Sequence, residues 1–390
     1  MSRFVYADNA ATTKLSKTAL AAMLPWLEEG YGNPSSVYQL GRASRRALDG
    51  ARDQMAKALG AKPEEILFTG SGTEADNWAL RGVCESLGDK GKHIISSNIE
   101  HPAIANTLAD LEKQGFEVTY LPVDADGLLS AEAVKAAIRP DTILISIMFA
   151  NNEIGTIQPI AEIGAIAREQ GVLFHTDAVQ AVAHLPITLS ELPIDLLSLS
   201  GHKFHGPKGV GALYVRKGVR LPTFITGGGQ ERGRRAGTEN VAGIIGMATA
   251  MDEAVKHLDA SMAKVTALRD RFIAGITKLP AVRLTGHPIK RLPGIASVVF
   301  ECIEGEAMLL MLDAAGISAS SGSACSSGSL DPSHVLLAIG LPHELAHGSV
   351  RFSFSEENTE ADVDYMLEQI PPIVAKLRAM SPLWEEHAHA

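Results

Sequence analysis

Short apolar runs alternate with segments of helical periodicity along the first two thirds of the chain. The runs predict strands at residues 66–69, 93–97, 117–121, 142–149, 172–176, 195–200 and 211–215, and the segments predict helices at 16–29, 43–59, up to 87, 103–114, 131–138 and 161–170. Strands that are apolar throughout are typical of a parallel sheet that is buried on both faces. The pattern therefore predicts an α/β fold, with a mostly parallel sheet and helices on both faces.

The last third of the chain predicts a second, smaller unit. A helical segment without proline covers about 241–279, and strands at 295–300 and 349–354 and helices at 306–314 and 360–380 follow it. A helix of that length often bridges two domains, so we place the boundary near its middle. Residues 15–258 are then a large ligand-binding domain, and residues 1–14 with 259–390 form a small α+β domain.

Composition narrows the classes of function. A chain of 390 residues with 46% hydrophobic content can bury a sizeable core. Acidic residues outnumber basic ones by 45 to 35, which argues against a nucleic-acid partner. The chain shows no apolar signal segment and no membrane-spanning stretch, so we expect a cytoplasmic protein with no membrane contact. Three scattered cysteines are too few for a disulfide framework or a zinc site, so we expect free thiols.

Polar residues cluster directly after four of the predicted strands. Ligands of open α/β sheets bind outside the carboxyl ends of the strands, so these clusters should converge on one crevice. Each cluster taken alone is also compatible with a helix cap or a turn, but four together predict a site. They are Glu100 with His101, Asn151 to Glu153, Asp177 with Gln180, and Ser200 to Lys203.

Lys203 is the strongest candidate for chemistry. It lies between His202 and His205, in a glycine-rich loop after an apolar run. Desolvation and nearby cations lower the pKa of a lysine and make its amine a nucleophile toward carbonyl carbon. The alternative is a surface loop with an ordinary ion-pairing lysine.

Two further loops offer ligand contacts. Residues 68–74 join a strand to a helix through glycines, and the N–H groups of such a helix start bind phosphate or another anion. The alternative is a plain helix cap, since neither a Walker lysine nor a dinucleotide pattern is present. Asn33, restrained by the following proline, is placed to offer its amide to a ligand.

Cys325 lies in residues 317–332, which are small and polar throughout. Such a segment cannot pack itself, so we expect it to be mobile and its thiol to be exposed. Reactivity then depends on a neighbour that stabilises the thiolate. Cys84 and Cys302 follow apolar patterns and are expected to be small core residues. His387 and His389 resemble a metal-binding pair only weakly, and a solvated tail fits them better.

In this order and over nearly the whole chain, these motifs resemble the pyridoxal-phosphate-dependent cysteine desulfurases of the class V aminotransferase group. The resemblance implies a fold-type I transferase. Residues 235–240 and 329–335 are most similar to the branch that serves nitrogenase cluster assembly, and general iron–sulfur maturation is equally compatible. The matching segments are residues 8–13, 32–36, 68–77, 100–101, 151–155, 177–180, 200–209, 234–240 and 321–326.

The resemblance implies pyridoxal 5'-phosphate as the cofactor and assigns its contacts. Lys203 would bond to it covalently and later carry the Cα proton of the substrate. Asp177 would keep the pyridine nitrogen protonated, and His101 would stack on the ring as a further catalytic residue. The remaining contacts would be Gln180 and Asn152 to the ring hydroxyl, and Gly72, Thr73, Ser200, His202 and, from the other subunit, Thr238 to the phosphate.

The same resemblance implies the substrate and the partners. Arg351 would bind the carboxylate of L-cysteine as a bidentate fork, with Asn33 assisting. Sulfur would pass to Cys325 as a persulfide, L-alanine would leave, and an iron–sulfur scaffold or another acceptor protein would receive the sulfur. Thr238 from a second subunit implies a homodimer with shared active sites. No resident metal is expected, and Cys325 would at most ligate a cluster transiently.

Two features depart from the family pattern, and three other readings stay open. His205 stands where many relatives have an aromatic residue, and the tail after Met380 does not match an acceptor-binding tail. The alternatives are an aminotransferase or selenocysteine lyase, a non-catalytic scaffold, and a dinucleotide oxidoreductase. The presence of Lys203, Asp177 and His101 argues against the scaffold, and the absence of a suitably placed acidic residue argues against the oxidoreductase.

Overall fold

A computed structural model of the protein describes residues 3–321 and 332–384. The strands are β1 (Val5–Tyr6), β2 (Ile66–Thr69), β3 (His93–Ser97), β4 (Glu117–Leu121), β5 (Thr142–Ser146), β6 (Leu173–Asp177), β7 (Leu196–Ser200), β8 (Gly211–Val215), β9 (Val282–Thr285), β10 (Ile295–Phe300), β11 (Ile317–Ser318) and β12 (Ser349–Ser353). The helices are α1 (Lys17–Glu28), α2 (Gln39–Leu59), α3 (Gly72–Leu87), α4 (Pro102–Lys113), α5 (Ala131–Ala137), α6 (Ile160–Gln170), α7 (Val241–Lys256), α8 (Leu258–Ile276), α9 (Gly305–Ala314), α10 (His334–Ala338), α11 (His343–Ala346) and α12 (Glu360–Ala379).

The larger sheet has seven strands in the order β2-β8-β7-β6-β5-β3-β4. The run from β7 to β4 is parallel throughout, whereas β8 is antiparallel to both of its neighbours. The predicted mostly parallel sheet is therefore confirmed. Because the parallel strands all point the same way, the residues that follow β3, β5, β6 and β7 lie along one edge.

Helices cover both faces of this sheet, as the apolar strands predict. Successive residues of a strand point to opposite faces, and β2 shows the consequence. Its Phe68 packs with Met55 of α2 and Met247 of α7, while Leu67 packs with Trp78 of α3 on the other side. Burial on both faces explains why these strands have no polar alternation.

A second core lies in the C-terminal part of the chain. The antiparallel sheet β12-β10-β9 contributes Phe300 and Phe352, which pack with Phe272 of α8. Strand β1 pairs in parallel with β11, and Val5 belongs to the same core. Residues at the start of the chain therefore pack with the C-terminal part.

The expected single helix over 241–279 is wrong. His257, with φ −109° and ψ 10°, separates α7 from α8. Met251 of α7 packs in the first core and Val265 of α8 in the second, so the two halves of the segment bury their apolar faces in different cores. The division at residue 258 lies beside this break and stays a prediction.

Strand β9, Val282–Thr285, was not expected from the sequence. It pairs antiparallel with β10, with Val282 opposite Phe300 and Leu284 opposite Val298. Among the described residues it is an edge strand of its sheet. A four-residue segment with only two apolar positions is too short for periodicity to identify it. In the part of the chain that the structure covers, no helix has the length and apolar character needed to cross a bilayer.

Candidate active site

A cavity of about 340 Å³ lies where the carboxyl ends of β3, β5, β6 and β7 meet the start of α3. The four predicted polar clusters reach this cavity. The N-terminal segment contributes Ala10 and Ala11, and β12 contributes Arg351, so both parts of the chain form its wall. The predicted residues among its lining are Gly72, Thr73, His101, Asn152, Asp177, Gln180, Ser200, His202, Lys203 and Arg351.

Lys203 lies at the end of a short 3-10 turn, Gly201–Lys203, that directly follows β7. Its Nζ donates to Ala10 O at 2.7 Å and to Ala11 O at 2.9 Å. Burial, together with the smaller effects of the charges of Lys203 and Lys208, lowers the pKa of His202 to about 4. His202 is therefore neutral near pH 7, and its Nδ1 lies 3.1 Å from Thr12 Oγ1. The strand end and two carbonyl groups thus hold the amine inside the cavity.

Asp177 is the last residue of β6 and is 7% exposed. Its Oδ1 accepts a hydrogen bond from Val179 N at 2.9 Å. Burial raises the pKa of Asp177, whereas the charges of His101 and Lys203 and the bond from Val179 lower it. A buried carboxyl in this position is a strong partner for a cationic N–H group of a ligand.

His101 caps α4 and lines the same cavity. Its Nδ1 accepts a hydrogen bond from Ala103 N at 3.1 Å, which orients the ring at the start of the helix. Burial lowers the pKa of His101, Asp177 raises it, and Lys203 lowers it. The cap fixes the tautomer, because an Nδ1 atom that accepts leaves the proton of the neutral ring on Nε2.

Asp76 and His175 form a layer beneath Asp177 that the sequence did not reveal. Asp76, in α3, is 1% exposed, and its Oδ1 lies 3.7 Å from His175 Nε2 with no hydrogen-bond partner among the described residues. Burial raises the pKa of Asp76 well above its usual value, and Asp177 adds to this. Burial lowers the pKa of His175 to about 3. Burial therefore favours the protonated form of Asp76 and the neutral form of His175.

A charged residue on an apolar face was the signal that could have found this layer. Asp76 lies between Ala75 and Ala79 on the buried side of α3, and His175 interrupts an apolar strand. The His175 ring lies between two hydroxyl groups, 2.9 Å from Ser146 Oγ and 3.0 Å from Ser198 Oγ. Those small polar residues complete a buried network under the cavity floor.

Glu100 and Glu153, which belong to predicted clusters, support the cavity without lining it. Glu100 accepts from Met148 N at 3.0 Å and from Ser97 Oγ at 2.6 Å, and burial raises its pKa to about 8. Burial raises the pKa of Glu153 to about 7, and Ser333 Oγ donates to its Oε2. Both carboxyl groups hold loops that follow the strands.

The start of α3 forms the anion-binding end of the cavity. Ser71 caps the helix by accepting from Glu74 N at 3.1 Å. A Cβ atom on Gly72 would lie 2.7 Å from Val179 Cγ2 and 3.3 Å from Ser200 Cβ, so only glycine allows this close packing. The N–H groups of the first helical turn have no acceptor within the helix, and the helix dipole favours an anion there.

Arg351 reaches the cavity from the middle of β12. It is buried, and it donates from Nη1 to Asn152 O at 2.8 Å and from Nη2 to Asp8 Oδ1 at 3.0 Å. Its Nε has no hydrogen-bond partner among the described residues. Gln180 Nε2 donates to Ala10 O at 2.8 Å. The guanidinium therefore provides a positive charge, held by two partners, in the cavity wall.

Two predicted residues, Asn33 and Thr238, do not line the cavity of their own chain. Asn33 is exposed, and its Oδ1 accepts from Ser35 N at 2.9 Å in a local turn. Thr238 is exposed and is absent from the cavity lining of its own chain. Cys325 lies outside the described residues, as do His387 and His389. Ser320, close to the end of the first described range, pairs with Arg351 through backbone hydrogen bonds of 3.2 and 2.7 Å.

In residues 3–321 and 332–384, no group of three or more potential ligands is arranged to hold a metal ion.

His205 connects the loop of Lys203 to the segment that follows β12. Its Nε2 lies 3.3 Å from Glu356 Oε1, and its Nδ1 lies 2.8 Å from Lys14 O. Burial lowers the pKa of His205, but the hydrogen bond and charge of Glu356 outweigh it, so the pKa is raised. Burial raises the pKa of Glu356, and His205 outweighs that effect and brings it to about 2.

This pair predicts a pH-dependent contribution to stability. We expect Glu356→Gln to lower the free energy of unfolding by about 1 kcal/mol or less near pH 5.5, because water screens a half-exposed carboxylate. The Glu356 contribution is present above its usual pKa of 4.5 and is lost as the pH falls toward 2. The His205 contribution is present below 6.5 and is lost as the pH rises through the raised folded value.

Urea unfolding at about pH 3, 5.5 and 9 measures this difference between wild type and variant. Glu357→Gln is the comparison variant, because Glu357 makes an exposed ion pair with Lys14 and raises the pKa of His205 less than Glu356 does. A variant effect of the same size at all three pH values would contradict the pairing.

The chain is similar to known proteins along nearly its whole length. It matches the family described as Aminotransferase class-V over residues 5–366. It is 58% identical over 379 residues to the cysteine desulfurase IscS of Methanosarcina thermophila, across 97% of this chain and 94% of that protein. A cysteine desulfurase of Gluconacetobacter diazotrophicus is 52% identical over 389 residues, across 99% and 97%. A solved NifS-like protein superposes with a TM-score of 0.91 at 40% identity, covering 96% of this chain and 100% of that one. The structure described as SspA in complex with cysteine has a TM-score of 0.80 at 39% identity, covering 90% and 98%.

Proposed function

The chain belongs to the aminotransferase class-V family, and we propose that within it the protein is a cysteine desulfurase dependent on pyridoxal 5'-phosphate. It takes sulfur from L-cysteine, releases L-alanine, and supplies the sulfur for iron–sulfur cluster assembly. The observation that carries the proposal is the convergence of Lys203, Asp177, His101 and Arg351 on one cavity. A neutral scaffold would have no reason to bury these charges together.

The residues present fit this cofactor. A cavity of about 340 Å³ has room for a substituted pyridine ring. Gly72 and Thr73 at the start of α3 line the cavity together with Ser200, where the N–H groups of the first helical turn favour a phosphate. At the other side, Asp177 is a buried carboxyl close to Lys203 and His101, as a partner of a protonated ring nitrogen must be. The contacts of individual residues with the cofactor are part of the proposal.

When bound, the cofactor withdraws electrons from the substrate and makes its Cα–H bond acidic. Asp177 would stabilise the positive charge of the ring nitrogen, and His101 would lie against the ring. Arg351 would bind the substrate carboxylate through its guanidinium N–H groups. Its hydrogen bonds to Asp8 Oδ1 and Asn152 O hold the guanidinium in orientation. Lys203 Nζ would accept the Cα proton of the substrate.

Sulfur transfer falls to Cys325. Its thiolate attacks the substrate sulfur, the bond from that sulfur to Cβ breaks, and an S–S bond forms on Cys325. The electron pair of the broken bond stays on the carbon skeleton, which takes up protons and leaves as L-alanine. The persulfide then passes to an acceptor protein. Nitrogenase cluster assembly and general iron–sulfur maturation are both compatible with this chemistry.

A homodimer with shared sites belongs to the proposal. Thr238 is exposed and lies outside the cavity of its own chain, which supports a contact with a second copy. A broad exposed apolar surface also supports it, since monomers rarely leave such patches uncovered. It includes Leu20, Leu24 and Leu27 on α1 and Tyr31, Val37 and Tyr38 after it, which are 43 to 86% exposed. The cytoplasmic location and the assistance of Asn33 also stay predictions.

The decisive test supplies the purified, cofactor-loaded protein with L-cysteine and no keto acid. We expect equimolar L-alanine and sulfane sulfur when a thiol acceptor is present, and mass spectrometry should locate added sulfur on Cys325. An absolute requirement for a keto acid would replace the proposal with an aminotransferase. Turnover of selenocysteine with no turnover of cysteine would replace it with a selenocysteine lyase.

Asp177→Asn keeps the shape of the side chain and removes the charge opposite the ring nitrogen. A buried hydrogen bond to a charged group contributes roughly 1.5–3 kcal/mol, so the affinity of the apoprotein for the cofactor should fall by about one to two powers of ten. Turnover should fall further, because the ring no longer withdraws electrons as strongly. Absorbance titration gives the affinity, and near-normal turnover at saturating cofactor would remove Asp177 from the mechanism.

A further inference from the structure

The chain that precedes Thr238 is a loop folded back on itself. Phe224 N donates to Arg234 O at 2.9 Å, and Ala236 N donates to Ile225 O at 3.0 Å. Gly237 N donates to Gln230 Oε1 at 3.2 Å. These bonds close residues 224–237 into a compact turn, which we call the hairpin loop. Thr238 follows the last of them and is therefore presented by this loop to the exterior.

A buried ion pair fastens the hairpin loop to the large sheet. Glu231 and Arg52 are 5% and 7% exposed. Glu231 Oε1 accepts from Arg52 Nη2 at 2.7 Å, and Oε2 accepts from Arg52 Nη1 at 2.8 Å. Glu231 Oε2 also accepts from Phe68 N at 3.0 Å, in β2. Both oxygens of the carboxylate are thus used, and one of them binds the strand that leads to the phosphate end of the cavity.

The backbone at this anchor is strained. Glu231 and Arg232 have φ values of 46° and 61°, in the left-handed region that residues other than glycine rarely adopt. Such residues persist only where their surroundings force the conformation, and they cluster at functional sites. Here the guanidinium of Arg52 and the N–H group of Phe68 hold the Glu231 carboxylate in place.

A second ion pair ties the other end of the hairpin loop to α3. Arg235 donates from Nε to Glu74 Oε1 at 2.8 Å and from Nη2 to Oε2 at 3.1 Å. Glu74 lies in the first turn of α3, and its Oε2 also accepts from Gly70 N at 2.8 Å. The two anchors therefore grip the junction of β2 and α3, which forms the phosphate end of the cavity in the same chain.

We propose that Glu231, together with Arg52 and Arg235, is a positioning residue that holds Thr238 in the cofactor site of the partner subunit. This rests on the proposed homodimer with shared sites. The junction of β2 and α3 thereby serves two sites, binding the phosphate in its own subunit and fixing the loop that reaches the other. Stability alone does not account for the arrangement, because a buried ion pair contributes little net free energy and here is coupled to a strained backbone.

The first test compares homodimers by the affinity of the apoprotein for pyridoxal 5'-phosphate. Thr238→Ala removes one hydrogen bond to a charged phosphate and should weaken binding by about one to two powers of ten. Glu231→Gln should weaken it by no more than Thr238→Ala does. The double variant should bind about as well as Thr238→Ala alone, because both changes act through the same contact. Additive losses, or unchanged affinity in Glu231→Gln, would overturn the proposal.

The second test separates action on the partner from action within one chain. Mixed dimers combine a Lys203→Ala subunit with a Glu231→Gln subunit, and borohydride fixes the cofactor only where Lys203 is present. The fixable site then takes Thr238 from the subunit with an intact Glu231. We expect the Glu231→Gln subunit to bind and fix the cofactor with wild-type affinity, as mass spectrometry of each subunit shows. Weak binding at that site would mean that Glu231 acts within its own chain.

A parallel mixed dimer distinguishes failure of this inference from failure of the proposed shared site. Lys203→Ala is combined with Thr238→Ala, and restored binding in the Thr238→Ala subunit shows that the threonine acts on the partner. Without that restoration, the shared site itself is wrong. Asp195→Asn is the matched control, because Asp195 is also buried, pairs with Arg216 and accepts from Phe174 N at the far end of the sheet. The affinity of the Asp195→Asn variant for the cofactor should equal that of wild type.

Arg235→Ala keeps the test decisive if Glu231→Gln does not fold. The ion pair of Arg235 with Glu74 is about one fifth exposed on both sides, with values of 22% and 18%, so its loss leaves no deeply buried charge. The same mixed-dimer rescue is expected for this variant. A loss of affinity that a wild-type Arg235 in the partner does not restore would overturn the proposal.

Discussion

Lys203→Ala is expected to bind pyridoxal 5'-phosphate without a covalent bond and to lose desulfuration by more than about four powers of ten. Acid–base catalysis alone supplies roughly two to four powers of ten, and the variant also loses the amine that anchors the cofactor. The cavity should otherwise be intact, since Asp177, His101 and the start of α3 are unchanged. Absorbance spectra, borohydride reduction followed by peptide mapping, and alanine release from L-cysteine measure the three effects.

Lys208→Ala is the control for this variant. Lys208 follows five residues later in the same loop and is exposed, so its replacement should leave the covalent bond and turnover in place. A borohydride-stable adduct that persists in Lys203→Ala and maps to Lys208 would reverse the assignment of the two lysines.

Cys325→Ala should keep the cofactor and still react with L-cysteine, yet stop sulfur transfer. Binding and proton removal depend on Lys203, Asp177 and Arg351, whereas sulfur needs a thiolate to accept it. The sequence predicts that this thiol is exposed, and loss of an exposed thiol usually changes stability by less than about 0.5 kcal/mol. Thermal unfolding should therefore be nearly that of wild type. Alanine release by the variant, with sulfur mapping in the wild-type protein, measures the effect.

The other two cysteines provide the controls, because their surroundings disfavour the thiolate and make the thiols poor nucleophiles. Burial raises the pKa of Cys84 to about 12, and burial also raises the pKa of Cys302. Few thiolates exist at either position near pH 7. Cys302→Ala should therefore transfer sulfur at the wild-type rate. Added sulfur on Cys302 or Cys84, or wild-type alanine release by Cys325→Ala, would show that Cys325 is not the acceptor.

The strands of the large sheet could be predicted because each is a local apolar run. Burial on both faces favours apolar residues at successive positions, although His175 interrupts the run of β6. Glycine or proline is a signal for where such a run ends. The break between α7 and α8 could not be predicted in this way, because His257 is no stronger a helix breaker than its neighbours. The helices divide there because Met251 and Val265 bury their side chains in different cores.

Among the cavity residues, prediction succeeded where chemistry and strand ends coincide. Lys203, Asp177 and His101 each follow an apolar run, so their position along one edge follows from a parallel sheet. Asp76 was missed because a helix can carry an aspartate for many reasons. Only its approach to Asp177 and to His175 gives it a role, and that distance depends on how α3 packs on the sheet.

By itself, the sequence determined the α/β class, the polar residues that follow the strands, the lysine, and the family to which the motifs point. All of these depend on local patterns or on the order of motifs along the chain. The tertiary structure alone decided that Asp76 and His175 lie together beneath Asp177, and how Glu231 and Arg235 fasten the loop before Thr238. Arg52 and Glu231 are 179 residues apart in the chain and touch only after folding. Electrostatic interactions depend on distance and burial, and neither quantity is encoded in the local pattern.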